Sequence, residues 1–165
     1  MATPTNLPAA EVAYTTLPAA WLNDLRGAFR ILQVVYGGTT TNVSNSTSTF
    51  ADTTLSATIT PQSSSNKVLV MIAQQAFKNT GNAENRLEIK TLRGATQIAT
   101  TGALFLYTGT VDFGQCTYSL CVLDSPATTS ATTYKTQFQN PNNTAAVQVQ
   151  VNSALSTIIL MEVSA

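Results

Sequence analysis

The sequence predicts an all-β fold, an antiparallel jelly-roll β-sandwich carrying an extended N-terminal arm and one short helix. Three observations predict it. From Arg30 onward, apolar residues recur with a period of two rather than the helical 3.6. Turn-forming clusters of Gly, Pro, Asn and Ser interrupt that pattern about every 10 to 15 residues, the spacing of short strands in a sandwich or barrel. No stretch after residue 30 has helical periodicity. The chain therefore divides into an anchoring arm with a short helix, residues 1–30, and a jelly-roll domain, residues 31–165.

The arm is set apart by its prolines. Pro4, Pro8 and Pro18 punctuate its first 18 residues, and the stretch up to Thr16 follows no strict period, so it reads as extended. The run from Pro18 to Phe29 predicts one short helix. Pro18 suits the first helical position, Trp21, Leu22, Leu25 and Phe29 fall at helical spacing, and Gly27 marks the end. A helix this short is unstable alone in water, so it must dock, on its own domain or on another chain.

The strands follow in order. Ile31 to Tyr36 is β-branched and closed by Gly37-Gly38; Thr39 to Ser48 reads as a loop. Phe50 to Thr60 is stopped by Pro61, and Gln62 to Asn66 is a polar turn. Lys67 to Ala73 is apolar on both faces, which predicts a central, fully covered strand. Arg86 to Leu92 alternates, with Leu87 and Ile89 inward and Arg86, Glu88 and Lys90 outward, before a tight turn at Arg93-Gly94-Ala95 and a return strand from Thr96. Cys116–Asp124, Thr132–Gln139, Ala146–Asn152 and Ser156–Val163 complete about eight to ten strands, the number of a jelly roll. Asn79–Asn85, Ser125–Ala131 and Asn140–Thr144 are further loops.

Composition narrows the function. Thr, Ser, Asn and Gln supply 63 of 165 residues, while charged residues are only 10% and sum to zero. That balance removes the basic footprint of a nucleic-acid binder, and no apolar run approaches the roughly 20 residues of a membrane helix. Met1 to Pro8 has neither a basic nor a continuous apolar region, so no signal peptide is expected. There is no histidine, which deprives a serine or cysteine nucleophile of its usual base. The Asp112 and Asp124 carboxylates flank one strand and are the best remaining pair for a glycan hydrolase, which needs them about 5 to 9 Å apart. No metal-ligand spacing, cofactor motif or catalytic set is present, so no cofactor and no enzymatic activity are expected. Cys116 and Cys121 fall on opposite faces of one strand, about 16 Å apart, too far to bridge. A surface of hydroxyls and amides can pack against copies of itself without the desolvation cost of charges.

Several runs carry a resemblance. Leu55 to Met71, Leu92-Arg-Gly94, Leu123 to Tyr134 (opening Leu-Asp-Ser-Pro-Ala-Thr-Thr) and the terminal Ser156 to Val163 (ending Met-Glu-Val) resemble a jelly-roll module of tailed-bacteriophage structural proteins, similar in strand order to C1q/TNF-like domains. The likeness covers about residues 30–165 and implies homotrimers on virions, with no catalytic motif to carry over. It leaves two expectations. The first is a capsid decoration (cement) protein, made in the host cytoplasm and located on the capsid surface. It would bind the major capsid protein through the arm, with Leu7, Val12, Tyr14, Trp21, Leu22, Leu25 and Phe29 as the anchoring set, since leucine and aromatic side chains suit interface cores. The second is a tail-fibre tip whose polar loops recognise a host glycan receptor. Only about 30 residues precede the module, too few for a fibre shaft, which favours the first.

Overall fold

Alternating burial along the chain builds two antiparallel sheets that close on one apolar core. The structure, a computed structural model, describes residues 31–79, 84–110, 112–142 and 145–165. Its strands are β1 (Ile31–Thr39), β2 (Val43–Asn45), β3 (Ala51–Ile59), β4 (Lys67–Lys78), β5 (Glu88–Arg93), β6 (Thr96–Thr100), β7 (Gly114–Asp124), β8 (Thr132–Gln139), β9 (Val147–Val149) and β10 (Ser156–Val163). The first sheet has the order β1-β10-β4-β9-β2, with β7 paired to β4; the second is β3-β8-β5-β6. Because β7 pairs along β4 from Val68 to Lys78, β10 and β9 share the opposite side of β4. The chain passes between the sheets at six of its nine strand connections, so the two layers form one antiparallel β-sandwich. Among the described residues, no helix is long and apolar enough to cross a membrane.

The core is where the inward rows of both sheets meet. Val68, Val70, Ile72 and Ala76 of β4 and Ile158 and Leu160 of β10 face Leu55, Ala57 and Ile59 of β3, Ile89 of β5 and Tyr134 and Phe138 of β8. Burying each large side chain contributes about 1.5–3 kcal/mol. Threonines enter the same core only in pairs that satisfy each other, Thr53 with Thr136 at 2.5 Å and Thr91 with the Tyr118 hydroxyl at 3.0 Å.

Several expectations change. Gly37-Gly38 does not close the first strand; β1 runs through it to Thr39. The reason is a close approach: a Cβ at Gly37 would lie 2.2 Å from the Ser56 carbonyl oxygen, so glycine lets β1 pass against β3. The Thr39–Ser48 loop contains β2, which pairs with β9. The strand placed at Ala146–Asn152 ends at Val149, because Gln150 and Asn152 take left-handed backbone (φ 55° each) and turn the chain. β4 is central, as its sequence predicts, but it is not fully covered. One face is buried and the other is open, with Met71 and Ala73 exposed. The arm and helix placed at residues 1–30 lie outside the described residues.

Candidate functional site

The open face of β4 belongs to a larger surface. Register sets Val34, Met161, Leu69 and Leu123 side by side across β1, β10, β4 and β7. The next outward row is Tyr36, Ile159, Met71 and Cys121, followed by Gly38, Thr157, Ala73 and Ser119. Of these, Tyr36 is 61%, Val34 57%, Leu123 51% and Met71 38% exposed, so large apolar side chains face outward in adjacent rows. A shallow groove of about 400 Å³ runs between Met71, Ala73, Ser119, Cys121, Thr157 and Ile159. Contiguous apolar surface of this kind marks an interaction site.

The outer face of the second sheet has the opposite chemistry. Thr58 pairs with Thr133 at 2.8 Å, and Asp52 takes an ion pair from Lys135 at 2.9 Å and a hydrogen bond from the Gln137 amide at 2.8 Å. Burial pushes the Asp52 carboxyl up, but Lys135 and Gln137 outweigh it and hold it below the usual range. Glu88 accepts from Gln139 at 2.8 Å and Thr100 at 3.1 Å, and the Lys90 ammonium sits 3.8 Å from the centre of the Phe50 ring. One sheet is therefore dressed for water and the other is not. No run in the sequence announces the apolar face, but the both-sided apolar patterns of Lys67–Ala73 and Ser156–Val163 carry its signal.

The motif residues that carried the resemblance do structural work at one end of the sandwich. Glu162 is fully buried and accepts from Asn66 Nδ2 (2.6 Å), Gln33 Nε2 (2.5 Å) and the Gln62 N–H (2.7 Å). Burial raises its pKa, yet these donors and the Ser63 N–H outweigh that and hold the carboxyl below the usual range. Nearby, Asp124 accepts from Arg93 Nη1 at 2.8 Å and from the Tyr134 hydroxyl at 2.7 Å, clipping β7 of one sheet to β5 and β8 of the other. Burial, then the bond to Asp124, pushes the Tyr134 phenol far up, so it stays a donor.

Asp112 and Asp124 do not form a catalytic pair. They lie beyond and at opposite ends of the same eleven-residue strand, about 40 Å apart at strand rise, and Asp124 is committed to its clip. Cys116 and Cys121 are free thiols on opposite faces of β7, and burial pushes the Cys116 thiol up. Among the described residues, no group of three or more Cys, Asp or Glu side chains could hold a metal ion. The anchoring set Leu7, Val12, Tyr14, Trp21, Leu22, Leu25 and Phe29 lies outside the described residues, so its contacts are not placed. No family model and no curated protein matches the chain. The functional reading therefore rests on the surfaces themselves.

Proposed function

We propose that this chain is a virion structural protein, a capsid decoration (cement) protein that binds the assembled capsid as a homotrimer and stabilises it. The observation that carries the reading is the contrast between the two outer faces. An apolar four-strand surface on one sheet and a hydrogen-bonded polar surface on the other suit a subunit that buries one side against copies of itself and shows the other to solvent. Zero net charge leaves little repulsion between copies. The mechanism is adhesion: a protein that binds only the assembled shell stabilises it by mass action. In this reading the arm, through Trp21 and its neighbours, reaches the major capsid protein.

Sedimentation equilibrium tests the subunit claim. The expected mass is three times 17.4 kDa, and Met71→Asp combined with Ile159→Asp yields a folded monomer. A monodisperse wild-type monomer at micromolar concentration would refute it. Copy number tests the location: gel densitometry of virions should place the chain near the major capsid protein, not at the few copies of a fibre.

A second reading, a glycan-binding fibre tip, has one observation in its favour. At the end of the sandwich opposite the clips, Leu104, Tyr107 and Phe113 are exposed, Tyr107 donates to Glu84 at 2.8 Å, and Arg86 lies 5.8 Å from the Tyr107 ring centre. Aromatic faces beside such polar groups suit sugars. Glycan-array binding lost in Tyr107→Ala would establish this reading over the first.

A further inference from the structure

Sheet edges expose rows of unpaired N–H and C=O groups, and folded proteins blunt them with bulges, short strands, prolines and lysines. Four edges of this sandwich are blunted, β2 by being only three residues long. The β1 register shifts between Ile31 and Gln33. The β3 register shifts between Asp52 and Ser56, around a left-handed Thr54 (φ 68°). β6 is five residues long with a shift beside it, between Thr91 and Leu92. β7 has none of these devices. It is eleven residues long, pairs with β4 in unbroken register from Val68↔Asp124 to Lys78↔Gly114, and contains no Pro, Lys or Arg. Its one charge, Asp124, is held by Arg93 and Tyr134. No described residue makes a backbone hydrogen bond to its outer side.

An edge left this way fits an added strand, whose backbone groups supply the affinity. The chain itself holds one segment of the right kind. Of the residues outside the described set, only residues 1–30 are long enough, since the others are 80–83, 111 and 143–144. Within 1–30, Pro4, Pro8 and Pro18 leave one proline-free window beside the helical pattern, residues 9–17, in which every N–H can donate. The window is rich in strand formers, Val12, Tyr14, Thr15 and Thr16. Its extended length, about 30 Å, nearly matches β7. Reach is sufficient too. A strand added outside β7 lies four spacings from β1, about 19 Å, and the residues between 17 and Ile31 span about 20 Å even as a helix and more if extended.

We propose that β7 is an acceptor edge, completed by strand addition of residues 9–17 of this chain. The assignment shares the arm with the virion reading and revises it: Val12 and Tyr14 pair with β7, which leaves Leu7, Trp21, Leu22, Leu25 and Phe29 to reach the capsid. It explains why β7 lacks the safeguards of the other edges: those safeguards would block the pairing.

Amide hydrogen exchange on the full-length protein tests it. Alternate β7 amides point to β4 and to the outer side. With the arm in place both sets exchange slowly. In Ala13→Pro/Thr15→Pro the outward set should accelerate at least tenfold while the β4-facing set stays slow. Outward amides that already exchange freely in the wild type overturn the proposal, as when a capsid strand is the natural occupant. Outward amides that stay slow in the proline variant overturn it as well, because a second β7 edge then fills the place. A second measurement uses the native Cys121 in a Cys116→Ser background. Single cysteines at Val12, Ala13, Tyr14 and Thr15 are scanned for disulfide formation on non-reducing gels. A cross-link within one chain or between two chains supports strand addition and identifies which copy donates; no cross-link at any of the four positions overturns it.

Discussion

Replacing Glu162 tests how the end of the sandwich is held. Its carboxylate is fully buried with no ion-pair partner among the described residues, and it organises neutral donors, chiefly the Asn66 side chain, the Gln62 backbone and the Gln33 side chain. Gln33 keeps a second acceptor, the Thr60 carbonyl at 2.7 Å, so it survives the loss. Asn66 Nδ2 and the Gln62 N–H do not. In Glu162→Ala two donors lose a charged acceptor and are left unsatisfied, each at about 1–3 kcal/mol, so the total cost is about 4 kcal/mol. Glu162→Gln keeps the volume but turns an amide N–H₂ toward a donor, and costs about 2 kcal/mol. The folded pKa is lowered, so the stabilisation is complete above the ordinary glutamate range. It is lost as pH falls through the folded value, a window from about pH 5 downward. Asp52 adds little to that slope because its carboxylate is more than half exposed. Urea unfolding at one fixed protein concentration, at about pH 7, 5 and 3, reads both effects. A cost under about 1 kcal/mol for the alanine variant, or equal pH slopes for wild type and Glu162→Gln, refutes the reasoning.

Two further substitutions probe the core. The Gln74 side chain is fully buried, and neither its Nε2 nor its Oε1 has a partner among the described residues. Gln74→Leu should therefore raise the unfolding free energy by about 1–3 kcal/mol in the same urea assay; a loss of stability would reveal a partner for the amide. Gly37→Ala should destabilise by about 3 kcal/mol, because its Cβ would overlap the Ser56 carbonyl oxygen at 2.2 Å and force β1 from β3.

Much of the fold was legible where a strand has one wet and one dry face. Thr132–Gln139 has the boundaries its alternation predicts, and the both-sided apolar Ser156–Val163 is bounded as its β-rich run predicts. Legibility failed where a residue answers to a neighbour distant in sequence. Gly37 reads as a turn because its need for space comes from Ser56, and Val151 reads as strand although two left-handed residues flank it. Of the candidate site, the sequence named the arm residues and the both-sided apolar run at Lys67–Ala73, but assigned that run to a covered strand.

What the residues alone determined is the local chemistry: period-two burial that demands sheets, and a lack of histidine and charge that leaves little for acid–base work. Which faces and edges stay uncovered is a property of packing. A strand apolar on both sides is buried twice only if a second layer lies over it, and the described residues offer β4 one layer. That shortage leaves Val34, Tyr36, Met71 and Leu123 facing outward, and the in-plane pairing of β7 with β4 alone makes β7 an edge. Both follow from strand order, which is written in pairings between distant residues and not in any local pattern.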